Sequence, residues 1–149
     1  MRAVELRELM VITVAVRPPV DLGGGRRYVP FQGGTFEGSG GMAGTILEGG
    51  VDWQTARPDG GLEIDAHYTL RTNAGEAIEV RSQGLRTAPA AVAARLAGGE
   101  PVAPDEYYFR TFIRFFTSAA DLAWLNDRLA LSTGERERDT VRIHVHEVL

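Results

Sequence analysis

Five stretches of the chain alternate apolar and polar residues with a period of two, which is typical of a strand with two different faces. They cover residues 10–16, 62–71, 77–85, 107–117 and 140–149. In the second stretch, Ile64, Ala66 and Tyr68 share one face, whereas Asp65 and His67 share the other. The tripeptide 73–75 predicts a short hairpin loop between two of the strands, because Gly75 is free to adopt positive φ.

Glycine is concentrated in one part of the chain, since 13 of the 18 glycines lie between Gly23 and Gly61. That density disfavours helices and favours short strands joined by tight turns. Two short helices are predicted, over 89–97 and from Ser118 to about Asp127. Many strands and few helices indicate an all-β fold, an antiparallel barrel or sandwich, with one domain spanning residues 1–149.

The composition excludes several kinds of chemistry. All 16 basic residues are arginine and the chain has no cysteine, which excludes a Schiff-base lysine, a cysteine nucleophile, a disulfide and a cysteine-ligated metal. The net charge of −4 argues against nucleic acid and anionic membranes as partners. The apolar stretch 9–16 is too short to span a bilayer and has no cleavage site after it, so we expect a cytoplasmic protein.

An ordered set of short motifs resembles the domain of unknown function 3237 family, also grouped as uncharacterised protein family 0311. The motifs are Gly33-Gly34-Thr35-Phe36-Glu37-Gly38, Gly49-Gly50-Val51-Asp52-Trp53, Asp59-Gly60, Asp65-Ala66-His67-Tyr68, Tyr108-Phe109-Arg110-Thr111 and Trp124-Leu125-Asn126. The resemblance extends from about Val11 to Val148.

The resemblance implies an antiparallel β-barrel with one or two short helices, similar in outline to lipocalins and allene oxide cyclases. It also implies that some relatives act as cyclases that close a ring by adding a hydroxyl to an alkene. The sequence departs from the family pattern at His67, where an arginine is expected, and at 73–75, which replaces a more acidic turn.

The first candidate site is the polar face of the barrel strands, formed by Asp65, His67, Arg81, Tyr108 and Arg110. If these side chains face an enclosed lumen, Asp65 or His67 is the candidate catalytic base, and Arg110 with Tyr108 would hold an oxyanion. Arg81 would contact the substrate. Alternatively, this face meets solvent, and Arg110 pairs with a structural carboxylate.

The second candidate site combines Glu37, Asp52 and Trp53 beside glycine turns. These residues would bind substrate at the mouth of a pocket, with Trp53 stacked on a flat ligand. Alternatively, Asp52 satisfies turn amides and Trp53 closes one end of the barrel.

A third constellation, His144 and His146, has the i, i+2 spacing that some metal sites use, with His67 as a third ligand. Solvent-facing histidines near a terminus explain the spacing more simply. We therefore predict no metal and no cofactor.

Two functions remain open. The first is a cofactor-independent isomerase, cyclase or lyase that uses an acid/base pair on a small organic molecule in the lumen. The second is a noncatalytic barrel that binds a small ligand or a protein. The apolar surface of strands 10–16 and 107–117 further predicts a homodimer.

Overall fold

Ten antiparallel strands account for most of residues 2–149, the part of the chain that this computed structural model describes. The strands are β1 (Leu6–Val16), β2 (Val20–Gly23), β3 (Arg26–Gly38), β4 (Ala43–Ile46), β5 (Val51–Ala56), β6 (Leu62–Thr72), β7 (Ala77–Thr87), β8 (Tyr108–Phe116), β9 (Leu129–Glu137) and β10 (Thr140–Val148). One α-helix, α1, spans Ala90–Ala97. Short 3₁₀ turns occupy Ser39–Gly41, Pro104–Glu106 and Ala120–Asp127.

The sheet closes on itself because β1 pairs with β10 on one side and with β3 on the other. β4 and β5 lie end to end between β3 and β6 and fill one position together. β2 continues the position of β1 along the start of β3. The result is a closed antiparallel barrel of eight positions, which confirms the predicted fold class.

Strict alternation decides which side chains face the interior. In β6 the even positions from Leu62 to Thr72 are buried and the odd positions face outward. The same rule places Ile78 and Val80 of β7, and Ile113 of β8, fully inside. Burying these aliphatic side chains is the main favourable term in folding, at about 25 cal/mol per Å² of apolar surface.

The two ends of the barrel differ. At one end α1 packs Leu96 against the rim, and we call this end the mouth. At the other end the segment Ala120–Asp127 buries Leu125 completely, and the Asn126 amide donates to the Thr117 carbonyl. Near the same end, the Arg7 guanidinium forms an ion pair with the buried carboxylate of Glu147.

Both predicted helical segments are helical, but only the first is an α-helix. Pro89 caps α1 and Gly98 ends it, close to the predicted bounds. The second segment is 3₁₀ and starts at Ala120. The predicted hairpin loop at 73–75 is confirmed, with Gly75 at φ +91°. Among residues 2–149, no helix is long and apolar enough to cross a membrane.

Candidate functional site

Two adjoining cavities occupy the mouth half of the barrel. The inner cavity, about 50 Å³, lies in the lumen between aliphatic walls and the Phe109 ring. The outer cavity, about 340 Å³, lies between the rim of the barrel and α1. Gln54, Arg86 and Arg136 line both cavities and mark the junction between them. The outer cavity is within the range of small-molecule sites, whereas the inner one holds only a few atoms.

The carboxylate of Asp52 is the charged group deepest in the inner cavity. Asp52 and Gln54 are alternate residues of β5, so both side chains point inward, and both are buried. Gln54 Nε2 donates to Asp52 Oδ2 at 2.7 Å, and the Asp65 backbone N–H donates to Oδ1 at 3.2 Å. Arg27 Nε donates to the Gln54 carbonyl oxygen at 2.7 Å, which fixes the orientation of that amide. Two hydrogen bonds in series therefore connect the Arg27 guanidinium at the rim to the Asp52 carboxylate inside the barrel.

Burial raises the pKa of Asp52 from 3.8 to about 6, because the charged form loses its hydration. The hydrogen bonds from Gln54 and Asp65, and the charge of Arg27, act in the opposite direction. At neutral pH Asp52 is mostly ionised, with a protonated fraction of roughly a tenth. Such a group can accept a proton and return it near physiological pH.

Tyr68 lines the same inner cavity from β6 and is 4% exposed. The Tyr68 ring packs against the Phe31 ring, with 5.1 Å between the two centroids. The Tyr68 Cβ lies so close to Gly50 that a Cβ on residue 50 would come within 2.5 Å of it. Burial, and then the nearby charge of Asp52, raise the pKa of the Tyr68 hydroxyl above its ordinary value. The phenol therefore stays protonated and can donate a hydrogen bond into the cavity.

A row of hydroxyls crosses the opposite wall of the lumen. Ser82 Oγ donates to Thr111 Oγ1 at 2.7 Å, and Thr111 Oγ1 lies 2.5 Å from Ser132 Oγ. All three are buried on the inward faces of β7, β8 and β9. Each of the three hydroxyls therefore has at least one hydrogen-bond partner within this buried polar strip.

Three guanidiniums, those of Arg27, Arg86 and Arg136, surround the junction of the two cavities. Each belongs to the inward-facing set of its strand, at the mouth ends of β3, β7 and β9. Burial, and then the positive charges of Arg136 and Arg27, lower the pKa of Arg86 to about 10. Burial followed by the charge of Arg27 also lowers the pKa of Arg136. With a pKa of about 10, Arg86 remains charged at neutral pH.

The arrangement therefore combines a buried carboxylate, a neutral phenol and several cationic donors around a largely apolar space. These groups suit the removal of a proton and the stabilisation of the resulting oxyanion. In the described part of the chain, no group of three or more histidines and carboxylates is arranged to hold a metal ion.

Comparison with known proteins assigns the chain to a protein family. Residues 4–148 match the family model described as "Protein of unknown function (DUF3237)". The chain belongs to the DUF3237 family. A UPF0311 protein of Rhodopseudomonas palustris is 38% identical over 126 residues, which cover 85% of this chain and 82% of that protein.

Solved structures agree with this assignment. The crystal structure of a conserved Rhodopseudomonas palustris protein of unknown function has a TM-score of 0.96 at 35% identity, covering 100% of this chain and 99% of that one. A beta-barrel like protein from Acinetobacter baumannii has a TM-score of 0.86 at 32% identity, covering 100% and 98%. An enzyme from Penicillium herquei has a TM-score of 0.73 at 20% identity, covering 100% and 97%; this likeness shows the fold alone.

In this DUF3237 barrel the polar face of β6 meets solvent, so the expectation that Asp65 and His67 face the lumen is wrong. Their side chains are 41% and 56% exposed. Asp65 pairs on the outer surface with Arg81, at 3.3 Å, and His67 Nε2 lies 2.6 Å from the Glu79 carboxylate. The physical reason is that the apolar face of β6 gains more from burial than the polar face would.

Tyr108 and Arg110 also lie on the outside, on the exposed face of β8. The Arg110 guanidinium stacks 5.0 Å over the Tyr108 ring and donates to the Phe109 carbonyl. It does not pair with Asp65 or Asp52. The structure thus keeps these two residues together but separates them from the interior, with the aromatic ring as the partner of the arginine.

The second candidate group is divided between the two faces of the sheet. Asp52 faces the inner cavity, whereas Trp53 lies outside against Tyr28 at 5.0 Å between ring centroids. Glu37 is exposed on β3, in a shallow outer groove that also contains His144 and His146. These two histidines point outward, and His144 lies 3.4 Å from Glu135.

Sequence reasoning missed Arg27, Gln54, Arg86 and Arg136, which all line the outer cavity. The sequence contains a signal for Arg86, because it is an even-numbered residue of β7, as are the buried Ile78 and Val80, and alternation therefore places it on the inward face. Arg136 follows Ala130, Ser132 and Gly134 on the inward face of β9, where little hydrophobic contrast marks the face.

Proposed function

We propose that this barrel binds a small organic molecule at its mouth and catalyses a cofactor-independent proton transfer, an isomerisation or cyclisation, with Asp52 as the acid/base group. The observation that carries the proposal is a buried carboxylate with a raised pKa beside a cavity. Perturbed carboxylates of this kind are concentrated at functional sites. The Penicillium herquei neighbour with the same fold is described as an enzyme, which is consistent with the proposal.

The proposed step is balanced without a redox partner. The Asp52 carboxylate removes a proton from a carbon next to a carbonyl, and the C–H electron pair becomes an enolate. The Tyr68 hydroxyl and the guanidiniums of Arg86 and Arg136 would stabilise the enolate oxygen. Protonated Asp52 then returns the proton to another atom of the same molecule, which completes an isomerisation and restores the carboxylate.

The test follows hydrogen–deuterium exchange at the α-carbon of 1-indanone and 2-tetralone in D₂O by NMR. These bicyclic ketones carry the acidic C–H bonds that the step requires. Their rings match the outer cavity in size, and the proposal requires the C–H end to reach through the junction to Asp52, which lines the inner cavity. We expect the wild-type protein to accelerate exchange, and Asp52→Asn to reduce the acceleration by roughly 10² or more.

Asp65→Asn is the matched control, because it removes a carboxylate from the adjacent strand on the outer face. We expect this variant, and also Arg110→Ala, to exchange the ketones at the wild-type rate. Exchange by Asp52→Asn at the wild-type rate, or an equal loss in Asp65→Asn, would overturn the assignment of the base.

A noncatalytic binding barrel is the second candidate, and one observation favours it. Asp52 already accepts hydrogen bonds from Gln54 and from the Asp65 backbone, and the space beside it is small. In that case ketone exchange would be equal in the wild-type protein and in Asp52→Asn, while ligand binding at the mouth would persist.

A further inference from the structure

We infer that the mouth of the barrel is a carboxylate-binding site, in which Arg27, Arg86 and Arg136 hold the anionic end of the ligand at the junction of the two cavities. The inference rests on the proposed function, since both place the ligand in the same cavities, and it adds the chemical class of that ligand. The position, partners and charge of the three guanidiniums support it.

None of the three arginines forms an ion pair within residues 2–149; the ion pairs found there involve other residues. The single side-chain bond from this group is that of Arg27 Nε to Gln54. Neither Arg86 nor Arg136 has a side-chain hydrogen bond among the causes that shift its pKa, which are burial first and then the charges of neighbouring groups. None of their nitrogens is among the buried polar atoms that lack a hydrogen bond within residues 2–149, so the free N–H donors are open to a ligand in the cavities that they line.

The neighbouring acids do not neutralise this group. Glu100 and Glu137 also line the outer cavity, but both are exposed at its edge, and Arg138 beside them offsets one of the two charges. The Asp52 carboxylate lies deeper and is engaged by Gln54. Asp139, whose charge also acts on Arg136, is exposed and does not line the cavity. Four arginines and two glutamates line the outer cavity, which therefore carries local positive charge on a chain whose net charge is −4.

The chemistry of guanidinium favours a carboxylate. Its planar fork of N–H donors matches two coplanar oxygens, and several such forks on one rim favour a bidentate anion. The outer cavity, at about 340 Å³, accommodates an aromatic bicycle, and α1 contributes the apolar side chains of Ala93 and Leu96 to its wall. We therefore assign the ligand class as a compact aromatic carboxylate.

The experiment measures binding of 2-naphthoate by isothermal titration calorimetry at pH 7.5, with the neutral isostere 2-naphthamide as the matched ligand. We expect the amide to bind at least about tenfold more weakly than the carboxylate. We expect Arg86→Gln and Arg136→Gln to weaken 2-naphthoate binding by at least about tenfold, and added salt to weaken it in the wild-type protein. Arg110→Gln, which removes an outer-face arginine, should bind as the wild type does.

A second measurement separates a binding role from a structural one. If the guanidinium of Arg86 is retained for a ligand, Arg86→Gln without ligand should melt at the same or a higher temperature than the wild type. A lower melting temperature for this variant would make Arg86 structural and would overturn the inference. Equal binding of the amide, unchanged binding by both arginine variants, or inorganic phosphate binding as tightly as 2-naphthoate would overturn it as well.

Asp52→Asn distinguishes this inference from the proposed catalysis. We expect that variant to bind 2-naphthoate at least as tightly as the wild type, because a nearby negative charge is removed, while it loses ketone exchange. Exchange that persists in Asp52→Asn would refute the catalytic proposal and leave the carboxylate site intact. Loss of 2-naphthoate binding in Asp52→Asn would instead contradict the carboxylate site.

Discussion

Replacing Asp52 by asparagine should change how the stability of the barrel depends on pH. The folded protein binds a proton at Asp52 with a pKa of about 6, against 3.8 for the ordinary carboxyl. Between these two values the folded state carries more protons than the unfolded state, so raising the pH favours unfolding. The favourable contribution of the neutral carboxyl is fully present below about pH 4 and is lost as the pH rises through 6.

The magnitude follows from the two pKa values. At about 1.4 kcal/mol per pKa unit, ionising Asp52 in its buried site costs about 3 kcal/mol of unfolding free energy by pH 7.5. The asparagine introduced by the substitution does not titrate, but its NH₂ group replaces one of the two oxygens that accept from the Gln54 amide and the Asp65 N–H, and the lost hydrogen bond costs about 1 kcal/mol. We therefore expect Asp52→Asn to be about 1 kcal/mol less stable than the wild type at pH 4 and about 2 kcal/mol more stable at pH 7.5.

Urea unfolding of both proteins from pH 4 to 8, followed by tryptophan fluorescence, measures this difference. The control is Asp59→Asn, because Asp59 is exposed and its backbone bond from Gly61 lowers its pKa below 3.8. The sign is reversed there: the contribution of the ionised Asp59 is present above 3.8 and is lost only as the pH falls through the lowered pKa. The difference between the wild type and Asp59→Asn should therefore stay constant from about pH 5 to 8. A difference between the wild type and Asp52→Asn that also stays constant would refute the reasoning about buried Asp52.

Three further predictions concern the outer surface and the end of the barrel opposite the mouth. Arg7→Ala should destabilise the protein by roughly 2 kcal/mol, because it removes the hydrogen-bonded partner of the buried Glu147 carboxylate and leaves only Arg128, whose Nε lies 3.8 Å from Oε2. Arg17→Ala, which breaks the exposed pair with Glu48 at 2.8 Å, should cost less than about 0.5 kcal/mol by the same urea titration. The exposed side chains of Phe112, Phe116, Leu129 and Leu131 support the predicted homodimer. Sedimentation at micromolar concentration should give about twice 16.2 kDa, and a mass near 16.2 kDa would contradict it.

The sequence predicts more of the fold than of the candidate site. Alternation in 62–71 and 77–85 correctly predicts two-faced strands, because a period of two is imposed by the backbone. It does not say which face is inside, and the polar face, with Asp65 and His67, proved to be the outer one. The rule that the apolar face is buried underlies the solvent-facing alternative given for Asp65 and His67, and it places these two residues correctly.

The interior polar residues were harder to find, because each is isolated among apolar or small neighbours. Asp52 was a candidate through its place beside a glycine turn, but its burial depends on the closure of the barrel by β1 and β3. Arg27 and Arg136 lie at strand ends that are more than 100 residues apart in sequence, and only the closed register brings them to one cavity. A local pattern contains no information about that closure.

The mouth and the carboxylate are electrostatically coupled, which connects the two proposals physically. The positive charge of Arg27 is one of the factors that hold the pKa of Asp52 down against burial. A bound carboxylate would neutralise part of that charge and displace water from the junction, and both changes raise the pKa of Asp52 further. By linkage, protonation of Asp52 would strengthen binding of the anion to the same degree. A ligand that binds the arginines through its carboxylate would thus make Asp52 a stronger base while the acidic C–H bond of that ligand is closest to Asp52.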